Sequence, residues 1–121
     1  MHQTEQLKIR TKQFALRIIR LFRALPRAEE ARVIGHQLLR SGTSVGANYR
    51  AACRARSKPE FISKLGVVIE ESDESVFWIE LLIDAGLMSS KRLVPLLDEA
   101  YELLAIFAAA FNTSKRRQKQ A

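Results

Sequence analysis

Cysteine is almost absent from this chain. The one present, Cys53, excludes an internal disulfide and gives no sign of an oxidising compartment. Only 5 glycines and 3 prolines punctuate 121 residues, too few for the closely spaced turns of a many-stranded sheet protein, so long helices are expected. Long apolar runs are also missing. The longest, Leu103 to Phe111, is about half what a membrane-spanning helix needs. The first residues, Met-His-Gln-Thr-Glu-Gln, lack the apolar core of a secretory signal, and a cytoplasmic protein without a membrane partner is expected. Histidine is limited to His2 and His36, which with one cysteine cannot supply a zinc ligand set. The residue three before His36 is Val33, not the glutamate of a di-iron bundle. No Gly-Lys-Ser/Thr follows the glycines, which excludes a phosphate loop. Gly42 and Gly46 have the spacing of a membrane-helix pair, but their flanks are too polar for a bilayer. No metal and no other cofactor is expected.

Acid is scarce in one half. Residues 1–58 carry 13 Lys/Arg against 3 Asp/Glu, residues 59–112 carry 3 against 10, and residues 113–121 carry 4 basic residues and no acid. The net charge is +7. Such asymmetry suits a nucleic-acid partner, a head-to-tail self-partner, or two halves that neutralise each other within one monomer. At 47% apolar and 27% charged residues, the composition is that of one folded domain with its own core.

Periodicity predicts four helices. In the first, about 5–25, Leu7, Thr11, Phe14, Ile18, Leu21 and Leu25 form one stripe that Pro26 ends. Ile9, Leu16 and Ile19 lie on nearly the opposite side with Lys12 and Arg23, where a lone solvent-facing helix would not need apolar residues. In the second, about 29–56, the inward line reads Ile34, Leu38, Ser41, Val45, Asn48, Ala52 and Ala55, with Gly35, Gly42 and Gly46 as further small positions. A glycine within a helix costs roughly 0.5–1 kcal/mol relative to alanine, so three of them imply close approach of a neighbouring backbone. A break at Ser41–Ser44 is the alternative, but the register carries through the glycines and favours one continuous helix.

The third helix opens at Ser57-Lys-Pro-Glu60, a capping box with proline in its first turn. Its core stripe is Phe61, Leu65, Val68, Ser72, Val76, Ile79 and Ile83, and Gly86 is its stop. Val67, Phe77, Trp78 and Leu81 lie on its other side beside Glu70 and Glu74. The fourth runs from Ser89 or Ser90 to about Asn112, with Leu93, Leu96, Leu97, Ala100, Leu103, Leu104, Phe107 and Phe111 as core. Pro95 either marks its first turn or bends it. The basic segment 113–121 is expected to be a disordered tail.

Four helices with short links point to an all-α, antiparallel up-down bundle over residues 1–112. The second apolar faces then need burial elsewhere. One is basic (Ile9, Lys12, Leu16, Ile19, Arg23) and one acidic (Val67, Glu70, Glu74, Phe77, Trp78, Leu81). Unlike faces on one molecule make a heterologous contact, which closes a ring when repeated around an axis, and these residues are the expected oligomer interface. Packing of both faces within one monomer is the alternative.

Glu70, Glu71, Asp73 and Glu74 could in principle hold a metal or act as acid and base. Their outward positions read instead as a solvated or interface face, and no enzymatic activity is expected. Cys53 reads as a small buried or half-buried side chain, with a reactive thiol beside Arg50, Arg54 and Arg56 as the alternative.

The segments Leu25-Pro26, Gln37-Leu-Leu-Arg-Ser-Gly-Thr-Ser-Val-Gly-Ala-Asn-Tyr-Arg50 and Ala55-Arg-Ser57, with Phe61, Lys64-Leu65, Glu70, Glu74 and Trp78, resemble the 23S rRNA intervening-sequence protein family, small bacterial four-helix-bundle proteins. The likeness spans about Leu7 to Phe111. Ser-Val-Gly-Ala-Asn-Tyr-Arg is its specific part. Relatives often carry Glu directly after Asn-Tyr-Arg, where this chain has Ala51. The resemblance implies a reading frame within an insertion in large-subunit ribosomal RNA genes, or a stand-alone relative of one. It also implies a homo-oligomer, in the family a pentameric ring. Related accessory proteins of diversity-generating retroelements form similar rings that engage nucleic acid and a reverse transcriptase, and the family has no established enzymatic activity.

The expected function is therefore oligomeric, largely sequence-nonspecific binding of RNA or DNA. The cations expected to carry it are Arg10, Arg17, Arg20, Arg27, Arg50, Arg54 and Arg56, with Lys115, Arg116, Arg117 and Lys119 of the basic segment. Few aromatics accompany them, so base stacking is expected to be minor. The alternative is a protein-interaction scaffold whose basic face docks subunits or an acidic partner protein.

Overall fold

The computed structural model describes residues 2–120, and among them every regular element is a helix: α1 (His2–Ala24), α2 (Glu29–Cys53), α3 (Lys58–Asp84) and α4 (Ser90–Gln120). They form a four-helix bundle in which each helix packs on its neighbours in the chain, while α1 and α4 touch only lightly. No helix is long and apolar enough to cross a membrane.

Local chemistry fixes the ends. Pro26 cannot continue α1. At α3, the Ser57 hydroxyl accepts from the Glu60 amide at 3.2 Å, while the Glu60 carboxylate accepts from the Arg56 amide at 2.6 Å. This is the expected capping box, shifted by one donor. Gly86 ends α3 at φ +71, and a Schellman pair closes it: Gly86 N–H donates to Ile83 at 3.0 Å and Leu87 N–H to Leu82 at 3.0 Å. The Ser89 hydroxyl accepts from the Arg92 amide at 3.3 Å and opens α4. Pro95 lies inside α4 near its start, where the lost N–H costs one intrahelical bond without breaking the helix.

The α1 stripe is buried as expected from Leu7 to Leu21, and Leu25 is half-buried in the turn. On α3 and α4 the centres of the stripes are buried, and Phe61, Ile83, Leu97, Leu104 and Phe111 are half-buried flanks. α2 departs from its expected line. Its buried residues are Ala31, Gly35, Leu38, Ser41, Gly42, Val45, Tyr49 and Ala52, while Ile34, Asn48 and Ala55 are only half-buried. The cause is that α2 is wedged between α1 and α3, so it buries two stripes and its inward face widens. Ser41 faces α3, where its hydroxyl meets that of Ser75 at 3.1 Å and Ser75 donates to the Glu71 carbonyl at 2.8 Å.

α2 is continuous through Gly42, and its glycines face α1. A methyl group on Gly46 would stand 3.1 Å from Thr11 Oγ1, one on Gly42 2.7 Å from Ile18 Cγ1, and one on Gly35 would run into Leu25 Cδ1. The glycines are thus the contact surface itself. Leu25 can swing aside, but Ile18 is β-branched and fully buried. Gly42→Ala is therefore expected to destabilise the fold by about 1–2 kcal/mol, because overpacking outweighs the helix-propensity gain. At Gly66 the nearest atom, Phe111 Cε2, would lie at an ordinary 3.7 Å. Gly66→Ala is expected to stabilise by about 0.5–1 kcal/mol. Urea unfolding of the two variants reads both signs, and equal signs would contradict this packing.

One boundary differs clearly. The basic segment, expected as a disordered tail, continues α4 as far as Gln120. It contains no Gly or Pro, Lys115 stacks over the Phe111 ring at 5.5 Å, and Arg117 and Lys119 complement the negative end of the helix dipole.

Candidate nucleic-acid interface

The basic half and the acidic half meet across helix seams. Arg10 on α1 donates from Nε to Glu99 at 3.1 Å and from its terminal nitrogen to the other Glu99 oxygen at 2.6 Å, with Glu102 at 3.3 Å. These hydrogen bonds hold its guanidinium above its usual pKa. Arg10, expected among the free cations, is thus a bidentate tie between α1 and α4. Arg40 on α2 pairs with Glu71 at 3.7 Å and with Glu74 on α3. Trp78 Nε1 donates to the same Glu74 oxygen at 3.2 Å. Glu74, expected at the oligomer interface, is engaged within the chain. Burial pushes Glu71 above the usual carboxylate pKa, partly offset by Arg40 and reinforced by Glu74 and Glu70, and its Oε1 is buried without a hydrogen-bond partner. Among the described residues no group of three or more His, Cys, Asp or Glu is arranged to hold a metal.

With those pairs made, the remaining arginines stand out. Among the described residues, no carboxylate lies within ion-pairing distance of the guanidinium groups of Arg17, Arg20, Arg23, Arg27, Arg32, Arg50, Arg54, Arg56 or Arg92, nor of the charged groups of Lys115, Arg116, Arg117 and Lys119 on α4. Arg17, Arg20 and Arg92 line one open groove between α1 and α4 over Leu21, Leu93 and Leu96. Arg23, Arg27 and Arg32 line a second hollow, at the α1–α2 turn, with Phe22, Leu25 and Pro26. Lys115, Arg116 and Lys119 line a third with Asn112 and Thr113. Sequence reading missed Arg92 and Arg32. A signal for Arg92 existed: α4 begins Ser-Lys-Arg with no acid in its first turn, against the preference of the helix dipole.

The second apolar faces are largely uncovered. On α1, Ile9 is 58% and Leu16 42% exposed; on α3, Phe77 is 52% and Val67 38% exposed. Lys12, Arg23 and Glu70 are exposed beside them, while Ile19, Trp78 and Leu81 are half-buried. The Phe77 ring meets Trp78 edge-on at 4.9 Å. Beside Ile9 and Lys12 an open groove runs between α1 and α2, lined also by Lys8, Ala15, Gly46, Ala47 and Arg50.

Within Asn48-Tyr49-Arg50, Tyr49 belongs to the core. Its ring lies 5.1 Å from that of Phe107, and burial, with the neighbouring Cys53, pushes its hydroxyl up to about 12. Asn48 donates to the Ser44 carbonyl at 2.9 Å. Cys53 is a free, half-buried thiol. Only Arg50 of the three points to solvent.

No curated protein matches the chain. Among solved structures it is similar to a protein of unknown function from the S23 ribosomal protein family of Bacteroides thetaiotaomicron, at 31% identity and TM-score 0.83, over 90% of this chain and 97% of that one. The model of the 23S rRNA-intervening sequence protein family matches residues 5–109, which take in all of α2 and α3, the capping box and the glycine contacts, and the chain belongs to that family.

Proposed function

We propose that the protein is a homo-oligomer that binds RNA or DNA through its phosphates, with little sequence preference and without catalysis, in the cytoplasm. The observation that carries this reading is the division of the cations. Glu99 and Glu102 of α4 are matched by Arg10 and Glu71 and Glu74 of α3 by Arg40, while among the described residues the other arginines have no carboxylate partner, six of them around two open hollows. Protein cations without acidic partners attract a polyanion and release its counterions.

The bundle reading is antiparallel and up-down. Thr11 meets Gly46 while Ile18 meets Gly42, and Glu80 meets Tyr101 while Gly66 meets Phe111. Along each seam one number falls as the other rises. This arrangement gathers Arg54, Arg56 and the basic end of α4 at one end of the bundle, and the arginines of the α1–α2 turn with Arg92 at the other.

The self-contact joins the α1 face and its groove, rimmed by Lys12 and Arg50 and by a Lys8–Glu5 pair, to the α3 face of the next copy, where Phe77 and Val67 project beside Glu70. Unlike faces of opposite charge favour a closed ring, and family membership supports a pentamer. The exposed apolar faces equally suit a scaffold that docks a partner protein, and the arginines separate the two readings. In Arg17→Glu/Arg20→Glu, light scattering is expected to return the wild-type multiple of 13.8 kDa while RNA binding falls by at least about a hundredfold. A variant that falls to monomers would instead assign these arginines to subunit contacts, and unchanged RNA affinity would remove them from the binding surface.

A further inference from the structure

We infer that the groove between α1 and α4 formed by Arg17, Arg20 and Arg92 is a phosphate-backbone subsite for a nucleic-acid strand. The inference rests on the nucleic-acid reading and adds to it a location and a residue. Three guanidinium groups from two helices converge on one groove, and among the described residues none has a carboxylate partner. Glu99 and Glu102, α4 carboxylates that face α1, are both engaged by Arg10. The floor is Leu21, Leu93 and Leu96, all buried, so it offers apolar support for the arginine stems and no competing acceptor. No aromatic lines the groove, so it can read phosphates but cannot stack bases.

Position strengthens the argument. Arg92 sits in the first turn of α4, where the helix dipole is positive and a cation is disfavoured in the free protein. An anion in the groove would relieve that cost. A second hollow, at the α1–α2 turn, carries the same sign with Arg23, Arg27 and Arg32. Arginines gathered in open hollows suit a polymer with a charge at every repeat better than a single carboxylate. Guanidinium also grips phosphate oxygens in pairs, which lysine cannot do.

The test is anisotropy with a labelled single-stranded RNA across a salt series, using the full chain, Arg92→Gln and Arg92→Lys. Arg92→Gln is expected to bind about tenfold more weakly at about 0.1 M salt, with a salt slope shallower by about one. Arg92→Lys should recover the slope but not the full affinity. Thermal unfolding and light scattering check that both variants fold and assemble as the wild type does. If Arg92→Gln matches wild type in affinity and slope, and the wild type still binds RNA with a steep salt dependence, the groove is not the subsite and the nucleic-acid reading stands. If the wild type binds no RNA, both fall. Polyglutamate that displaces RNA at equal charge concentration, with the same loss in Arg92→Gln, would assign the groove to an acidic protein. Millimolar inorganic phosphate should compete only weakly, because the affinity comes from the polymer; strong competition would reassign the groove to a free phosphate ligand.

Discussion

Phe107→Ala is expected to destabilise the protein by about 3–5 kcal/mol, a large share of the roughly 5–15 kcal/mol that holds a domain of this size together. Phe107 is fully buried near the middle of α4, against the ring of Tyr49 on α2. Its removal leaves a cavity that the long, straight helices can collapse only in part. It also strips one face of Tyr49, whose buried hydroxyl stays protonated. Urea unfolding followed by helical circular dichroism measures the loss. A cost below about 1 kcal/mol would mean that Phe107 does not fill the core against Tyr49 as described.

Much of the fold is legible because helix periodicity and end signals are local. The α1 stripe, the Ser57 capping box, the Gly86 stop and the passage of α2 through Gly42 all follow from residues within a few turns of each other. The buried line of α2 was less legible. The glycines announce a close approach, but a single inward line through Ile34, Asn48 and Ala55 leaves out Ala31 and Tyr49, which are buried because α2 packs on two neighbours. The helical end of α4 was hidden by its charge, which suggests a solvated tail even though Lys, Arg and Gln are good helix formers.

The interface was legible as a class of residue and not as a set of partners. Arg10 and Arg17 look alike in the sequence. They differ because Arg10 meets Glu99, 89 residues away, while Arg17 faces Arg20 and Arg92. The same long-range pairing removes Glu74 from the exposed acidic face. The charge asymmetry between halves reads as a binding signal, yet part of it is consumed by cross-helix pairs. What remains free is a smaller and better-placed group of arginines.

The second large effect concerns those arginines. Each phosphate neutralised on a duplex contributes a slope of about −0.9 in log affinity against log salt, and about −0.7 on a single strand. An oligomer that engages six to ten cations is expected to lose about 10³–10⁵ in affinity between about 50 and 200 mM salt. A scaffold that meets nucleic acid only incidentally would engage few cations and show a shallow line. The most direct measurement is therefore the affinity of the purified, nucleic-acid-free oligomer for a short duplex across that range. The account predicts a straight log–log line with a slope steeper than about −5; a flat line, or no binding at the lowest salt, would contradict it.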